Sequence, residues 1–206
     1  MLLAKSHHPN MVKLIGIAIS HDLGACLVFP WMANGDSLSY IQSNDVPRIR
    51  GTLEGLRYLH KRGFVHGDLK ARNVLISDDG IPLICDFGLS TSTELDDEQP
   101  SKSIQRAGNA QWMAPEALMD DVRKWTKKSD MWAFGMLMIE ILTGDLPFPN
   151  GNEPSILLDI KRGRLPLRPT HPECSDALWS LIQACWEMSP DERITAKAAL
   201  DRMNQI

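Results

Sequence analysis

The chain has 206 residues, 22 Lys and Arg against 26 Asp and Glu, and 43% hydrophobic side chains; its formal charge of −4 lacks the basic surplus of a nucleic-acid binder, so no nucleic-acid partner is expected. The longest apolar stretch, Met131 to Ile139, is far below the roughly 18 residues that span a bilayer, and Lys5 interrupts Met1 to Ala4 before an apolar leader develops, so no membrane partner is expected either. Cys26, Cys85, Cys174 and Cys185 form no C-x-x-C pair and no zinc-like spacing, which points to a reduced cytosolic or nuclear protein, with a cytoplasmic location expected first.

Met11 to Ile19 and Gly24 to Phe29 are short runs rich in Val, Ile and Leu, and they predict two strands joined by a turn at His21-Asp22-Leu23-Gly24. Pro30 stops the second run, and Ala33-Asn34-Gly35-Asp36 reads as a loop feeding a helix capped by Asp36 or Ser37. Leu53, Leu56, Tyr58 and Leu59 predict a helix that ends at Gly63. That helix carries Gly51 and Gly55, and an interior glycine costs about 1 kcal/mol relative to alanine. Val74 to Leu89 predicts short strands around the turn Ser77-Asp78-Asp79-Gly80, whereas Ser90 to Ala107 has no periodicity and predicts a mobile loop. Lys128 to Thr143 predicts a deeply buried helix, capped by Ser129 and ended by Gly144, in which Met131, Met136 and Met138 fill core space. Ser175 to Trp186 and Thr195 to Met203 predict amphipathic helices. A small sheet followed by a larger helical body is an α+β arrangement.

The segment that carries chemistry is Val65 to Ile76, VHGDLKARNVLI, followed by Cys85-Asp86-Phe87-Gly88-Leu89 and then by Trp112-Met113-Ala114-Pro115-Glu116. His66, Asp68, Lys70 and Asn73 at these offsets would arise together by chance on the order of one time in a thousand in a chain this long. The ordered set resembles the protein-kinase signature, in which a catalytic loop precedes D-F-G and D-F-G precedes A-P-E. The resemblance covers essentially the whole chain. It implies one kinase domain over residues 1–206, with a remnant of the small N-terminal sheet and the hinge in 1–32 and a mainly α-helical C-terminal lobe in 33–206.

The implied activity is transfer of the ATP γ-phosphoryl group, with Mg2+, to hydroxyls of a protein substrate. Such a reaction needs reactants positioned and charge neutralised rather than a covalent intermediate. The resemblance makes Asp68 the carboxylate that receives the substrate hydroxyl proton, and Lys70 the cation that balances charge on the moving phosphoryl group. Asn73 and Asp86 become the oxygen ligands for the metal, as hard cations require. On the nucleotide side it makes Phe29 the residue behind the adenine pocket, the Pro30 carbonyl and Met32 N–H the hinge groups, and Leu75 the floor beneath the ring. Pro30 has no N–H to donate, but its carbonyl can accept from the adenine amino group. Leu3, Leu14, His66 and Phe87 are implied to stack as a spine, Glu116 to pair with Arg193, and Asp130 to hold the catalytic-loop backbone from below. His7 and His8, in Ser6-His7-His8-Pro9-Asn10, resemble the H-P-N loop and are not expected to bind metal. Cys85 is expected to be a small buried residue. Lys70 follows the serine/threonine-directed pattern, while Ala71-Arg72-Asn73 is closer to tyrosine kinases; with Cys185-Trp186, the mixture looks most like the tyrosine-kinase-like group of serine/threonine kinases. Tyrosine is the alternative acceptor.

Three features depart from the family pattern. The Gly-rich loop, the third-strand Lys and its partner Glu precede the H-P-N loop in the family, and only Met1 to Ser6 stand before it here; Met1 to Lys5 resembles the last turn of the helix that carries that Glu. Weak ATP binding and negligible turnover are therefore expected of these 206 residues alone. The rival readings are a truncated or pseudokinase-like module that binds partners without catalysis, and an incomplete gene model of an active kinase. Gly67 stands where most kinases have an Arg that reads a phosphate on the activation loop, so phosphorylation at Ser90, Thr91, Ser92, Thr93, Ser101 or Ser103 is not the expected on-switch. Asn109 replaces the usual Thr before W-M-A-P-E, which changes the reach of the side chain toward Asp68 and Lys70.

Overall fold

A computed structural model describes residues 7–20, 24–40, 45–86, 91–92, 110–119 and 125–206. Its elements are strands β1 (Gly16–Ser20) and β2 (Gly24–Val28), helix α1 (Asp45–Lys61), strands β3 (Phe64–Val65), β4 (Val74–Ile76), β5 (Pro82–Ile84) and β6 (Thr91–Ser92), and helices α2 (Pro115–Met119), α3 (Lys127–Thr143), α4 (Glu153–Lys161), α5 (Asp176–Cys185) and α6 (Ala196–Met203). Among the described residues, six helices beside three two-stranded antiparallel pairs, β1–β2, β3–β6 and β4–β5, make the expected α+β arrangement with a helical body. No described helix is long and apolar enough to cross a membrane.

The core is organised around α3. Thr126 caps it, with Ser129 returning the hydrogen bond to the cap as a capping box, and Gly144 ends it in the left-handed region. Ser129, expected as the cap, is therefore its reciprocal partner one turn in. Met131 to Leu142 are all buried, so this helix has no solvent face. Gly135 permits that depth: a Cβ there would lie 2.4 Å from Trp186 Nε1, so the indole packs directly on the helix backbone.

α1 crosses this core with Ile49, Leu53, Leu56 and Leu59 fully buried. Its first two N–H groups, on Asp45 and Val46, are capped from far along the chain by Glu173 Oε2, both at 2.8 Å. The two interior glycines sit where the chain passes closest: a Cβ at Gly51 would meet Pro82 Cγ at 2.6 Å, and one at Gly55 the Asn10 carbonyl oxygen at 2.6 Å. Their helix-propensity cost is thus offset by close packing against β5 and the turn before Met11.

Two elements differ from the sequence expectation. The first strand spans Gly16–Ser20 rather than Met11 to Ile19, because Met11 and Val12 turn into the core, where Met11 bridges Ile84 and Val12 N donates to the Ile84 carbonyl at 2.9 Å. Asp36 caps a turn rather than a described helix, its Oδ1 accepting from Leu38 N and Ser39 N. Ser175 and Thr195 cap α5 and α6 as expected. The turn at 21–23, and the loop expected over Ser90 to Ala107 apart from Thr91–Ser92 in β6, lie outside the described residues.

Candidate active site

The loop 66–73 is held by α3 at both ends. Asp130, near the start of α3 and 2% exposed, accepts from His66 N at 2.8 Å on Oδ2 and from Gly67 N at 2.9 Å on Oδ1. His60 Nε2, at the end of α1, lies 2.8 Å from the same Oδ2. Each carboxylate oxygen is thus used, and the group expected to hold the loop from below does so. Gly67 adopts φ 81°, a left-handed conformation that suits glycine. Ten residues further along α3, Glu140 Oε2 accepts from Ala71 N at 2.9 Å and from the Trp112 indole N–H at 2.7 Å. Glu140 is 1% exposed, and burial pushes its carboxyl up from 4.5 to about 7 against the pull of those two donors.

Between these braces the loop gathers Asp68, Lys70 and Asn73. Lys70 Nζ donates to Asp68 Oδ2 at 2.9 Å, and Asn73 Nδ2 donates to the same oxygen at 3.0 Å and to the Asp68 carbonyl at 2.7 Å. Two donors on one carboxylate oxygen fix the orientation of the carboxylate. Because Asn73 turns its amide nitrogen to Asp68, its Oδ1 faces the other way. Lys70 also lies over the Trp112 ring, 5.9 Å from its centroid.

His66 ties this group to the strand that leads to Asp86. Its Nδ1 accepts from Asp68 N at 3.2 Å, so the proton is on Nε2, which donates to the Cys85 carbonyl at 2.9 Å. Cys85 N in turn donates to the Asn73 carbonyl at 2.9 Å, bringing Asp86 beside Asn73. Asp86 is exposed and left-handed, with φ 56°. An amide oxygen and a carboxylate suit a hard cation such as Mg2+, which takes few protein ligands and completes its shell with phosphate and water.

Leu75 on β4 is half-buried and bridges Asp36, and the segment from Met32 to Ser37 folds against β4 through Ser37 N to the Val74 carbonyl and Ile76 N to the Gly35 carbonyl. Phe29 and Pro30, just after β2, and Met32 are half-buried. Cys85 is pushed up to about 12, chiefly by burial and next by the neighbouring Asp86. Further along the chain, Arg193 forks onto Glu116, Nη1 to Oε1 at 2.7 Å and Nη2 to Oε2 at 2.9 Å, pairing as expected. Leu3, Phe87, Gly88 and Asn109 lie outside the described residues. Glu140, and the indole N–H of Trp112 that reaches it, had no sequence-based expectation. The available signal was a single acid inside the apolar run Met136-Leu137-Met138-Ile139-Glu140-Ile141-Leu142.

Comparison with known proteins covers nearly the whole chain. A family model described as protein tyrosine and serine/threonine kinase matches residues 1–203. The human proto-oncogene tyrosine-protein kinase ROS is 32% identical over 222 aligned residues, which cover 98% of this chain and 9% of that protein. Human ephrin type-B receptor 4 is 30% identical over 217 residues, covering 98% of this chain and 21% of the receptor, and the mouse receptor matches with the same identity and coverage. The chain thus spans less than a quarter of the length of these relatives.

Proposed function

Because this chain belongs to the protein tyrosine and serine/threonine kinase family, we propose that it transfers the γ-phosphoryl group of ATP to a hydroxyl of a protein substrate. The observation that carries this reading is the hydrogen-bonded group of Asp68, Lys70 and Asn73, braced at both ends by α3. Asp68 accepts the hydroxyl proton as the oxygen attacks phosphorus and the bond to the leaving ADP breaks. Lys70 supplies a positive charge beside that carboxylate, where the moving phosphoryl group gathers negative charge. Asn73 and Asp86 hold Mg2+, which when bound neutralises phosphate charge. Phe29, Pro30, Met32 and Leu75 receive the adenine. Residues 1–32 then serve as sheet and hinge, and 33–206 as the helical lobe.

The acceptor we favour is serine or threonine. Lys70 occupies the space beside Asp68, which suits a short aliphatic hydroxyl better than a phenol ring. Tyrosine is the second reading, supported by Ala71-Arg72-Asn73 and by relatives named as tyrosine kinases. Phosphoamino-acid analysis of substrate labelled from radioactive ATP distinguishes them. Label on serine and threonine is expected, and label confined to tyrosine overturns the preference.

A further inference from the structure

Away from the catalytic loop, α1, the start of α3 and the start of α6 line a half-open cavity of about 430 Å3. Arg57 and Lys61 reach it from α1, Lys127 from α3 and Lys197 from α6. Four cationic residues from three separate helices therefore line one concavity, mainly through their apolar stems, in a chain whose overall charge is −4. Among the described residues no acidic side chain lines it, and no hydrogen bond or ion pair engages the charged ends of these four. Lys128 is different, since its ammonium donates to the carbonyls of Asp191 and Arg193.

Held around a shared cavity, like charges repel until an anion arrives. Thr126 and Thr195 each cap only one of the first N–H groups of α3 and α6, on Ser129 and Ala198, so both helices also present the positive ends of their dipoles here. Between the charges the wall is largely apolar, formed by side-chain stems and the buried Ala196. The volume falls within the range of pockets that enclose a small molecule, about 300–1,000 Å3.

We propose that this cavity binds a small organic phosphate, with its apolar body between the three helices and its phosphate oxygens met by Arg57, Lys61, Lys127 and Lys197. The site is separate from the proposed ATP cleft, yet His60 lines it, and the His60 ring is bonded to the same Asp130 carboxylate that holds His66 N and Gly67 N. A ligand seated there rests against the support of the catalytic loop.

Phenyl phosphate is the probe, titrated into isotopically labelled protein while backbone amide shifts are followed. Saturable shifts are expected at residues 61, 127 and 197, with affinity falling as salt is raised from about 50 to about 300 mM. Affinity should drop at least about tenfold in the triple variant Lys61→Gln, Lys127→Gln, Lys197→Gln, and inorganic phosphate should bind more weakly than phenyl phosphate because it has no apolar body. The single variants Lys61→Gln and Lys197→Gln, both at exposed positions, give the same reading with smaller losses if the triple variant does not fold. Shifts confined to residues 66–86, affinity unchanged in the variants, or equal affinity for inorganic phosphate would each overturn the proposal.

Discussion

Burial holds the Glu140 carboxyl at about 7, well above its ordinary 4.5, although Ala71 N and the Trp112 indole both donate to it. The folded protein therefore keeps a proton that the unfolded chain releases between about pH 4.5 and 7. Stability should fall as pH rises through that window and level off above it, with a loss of roughly 3 kcal/mol from this group. Glu140→Gln keeps an acceptor oxygen for both donors and removes the titration. Chemical denaturation at pH 5 and pH 8 should show wild type losing more stability than the variant; equal losses would refute the assignment. Cys85, pushed up to about 12, stays a thiol at neutral pH. Its alkylation by iodoacetamide at pH 8 should be at least about tenfold slower in the folded protein than in denaturant, and equal rates would show that the thiol is not shielded. Asp68, Lys70 and Asn73 were legible from their spacing because the loop that carries them is local. Glu140 was not, since its partners lie 69 and 28 residues away.

At the scale of elements, α1 shows how local preference yields to packing. Its apolar spacing predicts the helix and its buried Leu53, Leu56 and Leu59, but the propensity scale counts Gly51 and Gly55 as a simple cost. The structure reverses that sign, because the helix backbone lies against Asn10 and Pro82. Gly55→Ala should therefore lower stability by about 1–3 kcal/mol despite better helix propensity, as overpacking does, and a raised melting temperature would contradict this contact. The α2 helix depends on a different long-range tie. Arg193 is fully buried, and it bonds the Glu116 carboxylate, the Glu187 and Lys128 carbonyls, and lies over the Trp132 ring at 5.2 Å. Glu116→Gln leaves that guanidinium without its counter-charge, and urea unfolding should register a loss of about 3 kcal/mol. A change near zero would mean that the carbonyls suffice. The first strand was placed too early in sequence because Met11 and Val12 carry the same apolar signal whether they pair in a sheet or turn into a core.

Across the whole molecule, one buried helix positions the chemistry. α3 reads as core from its composition, and it is core. It also carries two acids, Asp130 and Glu140, that grip residues 66–67 and residue 71, while Cys85 N and His66 Nε2 join the loop to the strand before Asp86. The fold class and the order of motifs were readable along the chain; the bracing was not, because it joins segments 63 to 70 residues apart through side chains facing inward. The central claim is that this braced loop presents Asp68 to a protein hydroxyl during phosphoryl transfer. The most direct test is phosphate transfer from labelled Mg-ATP by the natural protein that carries this chain, with ATP binding measured in parallel, for wild type and Asp68→Asn. Transfer by wild type is expected, with a loss of about 100-fold or more in the variant and ATP affinity little changed. Transfer retained in Asp68→Asn, or no transfer by wild type that binds Mg-ATP, would contradict it.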